Sequence, residues 1–284
     1  MGQPQNQFGQ AETQLGEERA SNEAPFLQDR PIAEPARMGP AGRLIGTLLS
    51  PGETFKDINR KPTVVSPIII SVLVGIAMTL FVNWHAKPDW KQIARNQIVK
   101  QSEKFGTKLD PERLDQQVNT TAFIYRFMPV FVLVFVPIFY LAGAGVLALG
   151  MLLMQAQTTY KKILSVFAWT YCSIGLVTTL LAMASLIVRD PQSLADRDFL
   201  NPAGLAPTNL AVLLADDSSP VLRALLSSLD VFNIWIIVLL IIGLAVVGGS
   251  RKITRGKTAA LVISLWCLIV LLKVAAAAVG FGGQ

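Results

Sequence analysis

Residues able to make or break bonds are scarce in this chain. A single histidine, His85, excludes a multi-histidine metal site. The two cysteines, Cys172 and Cys267, lie inside apolar runs without CxxC spacing, which predicts packing rather than redox or zinc chemistry. The acidic pairs Asp196 with Asp198 and Asp216 with Asp217 lack the alternating D-x-D-x-D-G spacing of a calcium loop. No GxSxG, HExxH, Walker A or GxGxxG occurs. Lys273 is the one charge embedded in an apolar segment, and these segments hold no internal Asp or Glu to pair with it, so snorkelling is expected. Ser165, Thr170, Tyr171, Ser173, Thr178 and Thr179 could bond between helices or line a polar path. This inventory predicts no catalytic residue, no metal site and no cofactor.

The surrounding elements are far more legible. Of 284 residues, 52 % are hydrophobic and 15 % charged, against about 25 % charged in a soluble domain. A mean hydropathy of +0.47 agrees. The expected fold class is an all-α polytopic membrane protein with five transmembrane helices, amphipathic interfacial helices and a disordered N-terminal tail. The spans are expected at about 66–86, 127–153, 163–188, 231–250 and 258–280. Residues 1–42, rich in Gln, Glu, Gly, Pro and Ala, read as a disordered cytoplasmic tail ahead of a membrane domain over 43–280.

Residues 43–61 read as a structured lead-in. Leu44, Ile45, Leu48 and Leu49 share a helical face, with Arg43, Lys56, Arg60 and Lys61 supplying positive charge around it. Ser50, Pro51 and Glu53 have the pattern of a capping box, and Phe55 with Ile58 continues the apolar side. This predicts a short helix pair docked on a lipid or protein surface. The 40-residue connection from Lys87 to Arg126 predicts two amphipathic helices lying on the membrane or against the bundle.

Within the second span, Ala142 to Gly150 is rich in small residues, and Ala144 with Ala148 fits close helix packing, internally or in self-association. The 34 uncharged residues from Phe127 to Tyr160 exceed one bilayer crossing, so this helix must tilt, kink or end before Gln155. Asp230, at the start of the fourth span, favours a helix N-terminus, and Asn233 and Trp235 follow it.

Basic residues decide the expected orientation. Lys161–Lys162 and the turn holding Arg251, Lys252, Arg255 and Lys257 lie on the N-terminal side, whereas the loop 189–230 has three Arg and six Asp. This predicts a cytoplasmic N-terminus and an external C-terminus, with the eight Lys or Arg of the Lys87 to Arg126 connection dissenting and assigned to basic helix faces resting on anionic lipid. The expected partners are the lipid bilayer and other membrane proteins, not nucleic acid.

Three short patterns in this order resemble the Yip (Ypt-interacting protein) domain family in its bacterial branch: L-L-S-P-x-E-T-F at Leu48 to Phe55, F-A-W-T-Y at Phe167 to Tyr171, and D-V-F-N-I-W at Asp230 to Trp235. The resemblance implies a non-enzymatic integral membrane protein with a scaffold, organising or protein-interaction role in a bacterial cytoplasmic membrane. Its eukaryotic members are associated with small GTPases. The alternative from a different class is a transporter or channel component, which the hydroxyl row of the third span would serve.

Overall fold

The structure is a computed structural model that describes residues 38–104, 106, 110–189, 208–215, 218–249 and 253–279. The expected disordered tail falls almost wholly outside these residues, as do the acidic loop over 190–207 and Arg251–Lys252 of the basic turn. Apart from an isolated bridge between Asn209 and Asp230, the regular elements described are all helical.

Two short helices, α1 (Pro40–Leu49) and α2 (Pro51–Arg60), form an N-terminal hairpin. Helix α3 (Val65–His85) leads into a second hairpin, α4 (Trp90–Lys104) and α5 (Pro111–Arg126). Then come α6 (Met128–Leu153), α7 (Tyr160–Val188), a 3-10 turn at Leu210–Leu213, α8 (Pro220–Leu226), α9 (Val231–Val247) and α10 (Arg255–Ala278). Helices α3, α6, α7 and α10 are long and apolar enough to cross a membrane, and α9 is a shorter apolar helix. Large apolar side chains such as Leu133, Phe135, Ile269 and Leu271 are exposed along them, as a hydrocarbon solvent permits.

Contacts between these five helices fix their relative directions. Helix α3 runs parallel to α7: Thr63, just before α3, bonds Ser165, and His85 Nε2 meets the Leu186 carbonyl at 3.2 Å. Helix α6 is antiparallel to both, since Ser71 pairs with Tyr140 at 2.7 Å and Phe139 packs on Tyr171. Helix α9 opposes α7, with Gly243 under Val166. It also opposes α10: Thr258 Oγ1 donates to the Ile241 carbonyl and Lys273 reaches Ser227. The bundle therefore has a proximal end, holding α1–α2 and the α6–α7 and α9–α10 turns, and a distal end. The two proximal turns are tied by Gln157 N–H donating to the Gly248 carbonyl at 3.1 Å.

Helix α7 is the axis of the molecule, packing against α1, α2, α3, α6 and α9. Its buried residues run from Ile163 to Ile174 almost without a break. Small residues opposite it make this fit. Ala144 is fully buried, Ala148 is partly buried against the same core, and Gly143 leaves room for the Phe167 ring that a side chain would collide with. In this structure the small-residue stretch thus serves internal packing.

Several local expectations need correction. Ser50 does not close a capping box: its hydroxyl turns back toward the Gly46 carbonyl at 3.5 Å, and α2 has no side-chain cap. Pro51 does occupy the first turn, so proline pre-sets the start without help from serine. Helix α3 starts at Val65, one residue ahead of the expected bound, and α7 starts at Tyr160 rather than 163, which places Lys161 and Lys162 inside its first turn. Helix α6 ends at Leu153, and Gln155 adopts a left-handed φ of 56° as the chain reverses.

The α4–α5 pair folds on itself rather than lying flat as two separate helices. Ala94, Val118 and Ala122 form its buried seam with Trp90, Ile98, Leu114 and Tyr125. Arg95 pairs with Asp115 across the hairpin, and Trp90 Nε1 donates to Asn83 Oδ1 at 2.9 Å to anchor it to α3. Tyr125 Oη donates to Gln97 Oε1 at 2.7 Å, and burial pushes its phenol pKa up. Phe123 and Ile124 remain exposed outside this seam, and Trp90 also packs against the Met78 and Val82 cluster of α3.

The difference between the two N-termini is measurable. Ser50→Ala should leave the thermal unfolding midpoint nearly unchanged. Asp230→Ala removes a carboxylate that accepts from the Phe232 and Asn233 amides at 2.8 and 3.2 Å. It should cost about 0.5–2 kcal/mol, read as a lowered midpoint for the purified protein.

Candidate functional site

The sequence places Arg43 among the solvent-facing charges of the lead-in. In the structure it is 2 % exposed and forms an ion pair with Asp57, which is 3 % exposed. Arg43 Nε donates to Asp57 Oδ2 at 2.9 Å, Nη2 lies 2.8 Å from the same oxygen, and Nη2 also approaches the Asp57 carbonyl at 3.4 Å. The remaining fork, Nη1, donates to Thr63 Oγ1 at 2.6 Å. The planar guanidinium thus spans α1, α2 and the start of the first long helix, a geometry that a lysine ammonium cannot reproduce.

Thr63 passes this connection to α7. Its hydroxyl accepts from Trp169 Nε1 at 3.2 Å. Its backbone N–H donates to Ser165 Oγ at 3.1 Å, and Ser165 Oγ donates back to the Thr63 carbonyl at 2.8 Å. The indole is fully buried, so its N–H needs such a partner. An unbroken polar chain therefore runs from α1 through α2 and Thr63 to α7.

Apolar packing supplies the energy that this chain does not. Phe55 and Ile58 are both fully buried. The Phe55 ring lies against Gly243 of α9, where a methyl would approach its edge to 3.2 Å and crowd Val166 as well. Removing the two side chains from water stabilises docking by about 1.5–3 kcal/mol each. A buried ion pair contributes little net energy because desolvation offsets its attraction, but it penalises every register that separates the charges. Phe55 and Ile58 drive docking; Arg43 and Asp57 fix its geometry.

The predicted apolar stripe is split by this arrangement. Leu44 and Leu48 pack against the core, whereas Ile45 is 56 % and Leu49 80 % exposed. The buried face of α1 is instead Arg43, Gly46 and Thr47. Thr47 escapes the cost of burial by donating to the Arg43 carbonyl at 2.7 Å. Sequence periodicity misses the clamp because it counts charged residues as outward. One signal was available: Asp57 lies between Phe55 and Ile58 on the face that an interfacial helix would bury.

The other predicted residues gather at the distal end. Asp230 caps α9, and its second oxygen accepts from the Thr208 hydroxyl. Asn233 lies on the wall of a half-open crevice of about 290 Å³ between α7 and α9, whose lining also includes Tyr171, Gly175, Thr179, Ser227 and Asp230. Trp235 lies on the outer side of α9, 37 % exposed. Thr170 and Ser173 are fully buried below the crevice and do not line it, so the hydroxyl row is not one continuous polar path. Lys273 does more than snorkel: its Nζ donates to Ser227 Oγ at 2.8 Å.

Substitution separates the two roles at the clamp. Asp57→Leu alone strands a buried guanidinium and should destabilise by about 3–5 kcal/mol. The pair Arg43→Met with Asp57→Leu should recover most of this loss, whereas Phe55→Ala should cost about 3–5 kcal/mol regardless. Thermal unfolding and protease sensitivity of residues 43–60 in the purified protein report all three.

The short patterns of the sequence now have physical roles. The first supplies Phe55, the second Phe167 and Trp169, and the third the Asp230 cap. Neither a curated protein nor a solved structure gives a significant match to this chain. The Yip1 domain matches it over residues 45–277, from α1 to the end of α10. The chain belongs to the Yip1 domain family and is an integral membrane protein.

Proposed function

We propose that this protein is a non-enzymatic membrane scaffold whose interaction surface is the clamped α1–α2 hairpin. The observation that carries this reading is the exposure of Ile45 and Leu49 on a hairpin whose opposite face is fixed in the core. One turn apart on α1, at 56 % and 80 % exposure, they form a contiguous apolar patch of the kind that lipid or another protein covers. Lys56, Arg60, Lys61 and Lys161 lie on the same end of the bundle. An anionic leaflet or an acidic partner complements that charge, each basic side chain near such a leaflet contributing about 1 kcal/mol. A small GTPase is a partner suggested by family resemblance alone.

The alternating helix directions support five crossings, with α9 as the fourth. Its 17 residues span about 26 Å at 1.5 Å per residue, slightly short of a typical core of about 30 Å. Basic residues at the proximal end support a cytoplasmic N-terminus and an external C-terminus. The bacterial cytoplasmic membrane is the location that the sequence resemblance favours.

Transport is the second reading, and the distal crevice favours it. Against it, the crevice does not continue to Thr170 and Ser173, and fully buried side chains such as Trp169, Val166 and Leu244 fill the bundle nearer the proximal end.

Three measurements test the topology and the scaffold. In a background with Cys172 and Cys267 replaced by alanine, cysteines at Gly256 and Gln92 should label from opposite sides of the membrane, with Gly256 on the cytoplasmic side. Equal labelling of both in intact cells overturns the topology. A photo-crosslinker at Leu49 should give one discrete protein adduct in cells, lost on Ile45→Asp with the hairpin still protease-resistant. Substrate-dependent flux through liposomes containing the purified protein overturns the scaffold reading.

A further inference from the structure

We infer that the distal crevice between α7 and α9 holds the headgroup of a zwitterionic, amine-bearing phospholipid, of which phosphoethanolamine is the chemical type. This goes beyond the scaffold reading and does not depend on it.

The crevice exists because α7 and α9 diverge. At the proximal end Gly243 lies so close to Val166 and Phe55 that no side chain fits. At the distal end a Cβ on Gly175 would meet nothing within 4 Å. The resulting wedge, about 290 Å³, is at the lower edge of the range of about 300–1,000 Å³ typical of small-molecule sites. It suits a headgroup and is too small for a whole diacyl lipid. Beside it, Leu180, Leu181 and Ile234 are exposed and offer acyl chains an apolar surface.

Polar accounting points to an ammonium group. Asp230 is the only formally charged side chain among the described lining residues. Its Oδ1 accepts from two backbone amides and its Oδ2 from Thr208, which uses three of about four lone-pair sites and leaves one acceptor. The side chains of Tyr171, Thr179 and Asn233 also line the crevice and have no hydrogen-bond partner among the described residues. Their oxygens provide further acceptors for an ammonium.

The anionic half of the ligand meets positive potential from outside the lining. Ser227 lines the crevice, donates its own proton to the Ala224 carbonyl and accepts from Lys273 Nζ, which also approaches Ser228, so an ammonium stands one hydrogen bond behind that wall. Asp230 and Lys273 form no ion pair with each other, so a zwitterion lying along the crevice has its amine at the carboxylate and its phosphate toward the side from which Lys273 adds positive potential. A phosphoglycerol headgroup has the phosphate but no amine for Asp230.

The experiment uses the purified full chain, titrated with phosphoethanolamine and phosphoglycerol lipids of identical acyl chains and read by native mass spectrometry. The expected result is one retained phosphoethanolamine lipid, preferred by at least about tenfold. Gly175→Leu, whose Cβ meets nothing within 4 Å and whose remaining side chain occupies the wedge, should abolish retention while the thermal midpoint holds. Asp230→Asn keeps a side chain competent to cap α9 and should reduce the preference by about tenfold. Asn233→Leu is a second filling variant should Gly175→Leu fail to fold. Equal retention of both lipids by the parent, or undiminished retention in a folded filling variant, overturns the site. Competition by free phosphoethanolamine at the same concentration as the lipid overturns the lipid source, because it makes the wedge a solute site.

Discussion

The buried contact between Arg43 and Asp57 sets the constraint on which the proximal half of this protein depends. Neither residue tolerates burial alone, and together they are satisfied only when α1, α2 and Thr63 hold one relative geometry. Every donor group of Arg43 is directed at an oxygen: Nε and Nη2 at Asp57, Nη1 at Thr63. Once Thr63 is fixed, the reciprocal bonds with Ser165 set the height of α3 against α7. Inside a bilayer, apolar contacts between helices discriminate poorly against lipid, so a polar register at the membrane boundary is an effective way to define the bundle.

Packing beyond the clamp follows from unequal helix separation. Gly143 and Gly243 let aromatic rings approach the neighbouring backbone, with Phe167 seated on one and Phe55 on the other. The proximal and middle layers are consequently dense around Trp169. Gly175 has no such partner, and there the same two helices leave a wedge. One molecule thus combines a closed end that presents a surface with an open end that presents a cavity.

The two short hairpins show how the same amphipathic pattern can be resolved in two ways. The α4–α5 hairpin uses its apolar residues on itself and is fastened to α3 by Trp90 and Asn83. The α1–α2 hairpin uses its apolar residues on the bundle, through Phe55 and Ile58, and leaves Ile45 and Leu49 outward. Phe55 finds a glycine-lined seat on α9, whereas the α4–α5 pair reaches the bundle through Trp90, which packs against Met78 and Val82 of α3.

Sequence alone determined the membrane class, the positions of the long apolar helices to within a few residues, and the scarcity of reactive groups. Those properties depend on composition and on uncharged run length, which are local. It also indicated the Asp230 cap, because a carboxylate one residue ahead of an apolar helix acts on amides two and three residues away. Tertiary structure alone decided the fate of Arg43, which periodicity assigns to the surface and which lies in the core because Asp57, fourteen residues on, meets it there. It also decided that α4 and α5 pair with each other, and that Thr170 and Ser173 are sealed while Asn233 lines a crevice. Each of these depends on the distance between helices remote in sequence, and glycine or alanine at a contact sets that distance without announcing which partner it will meet.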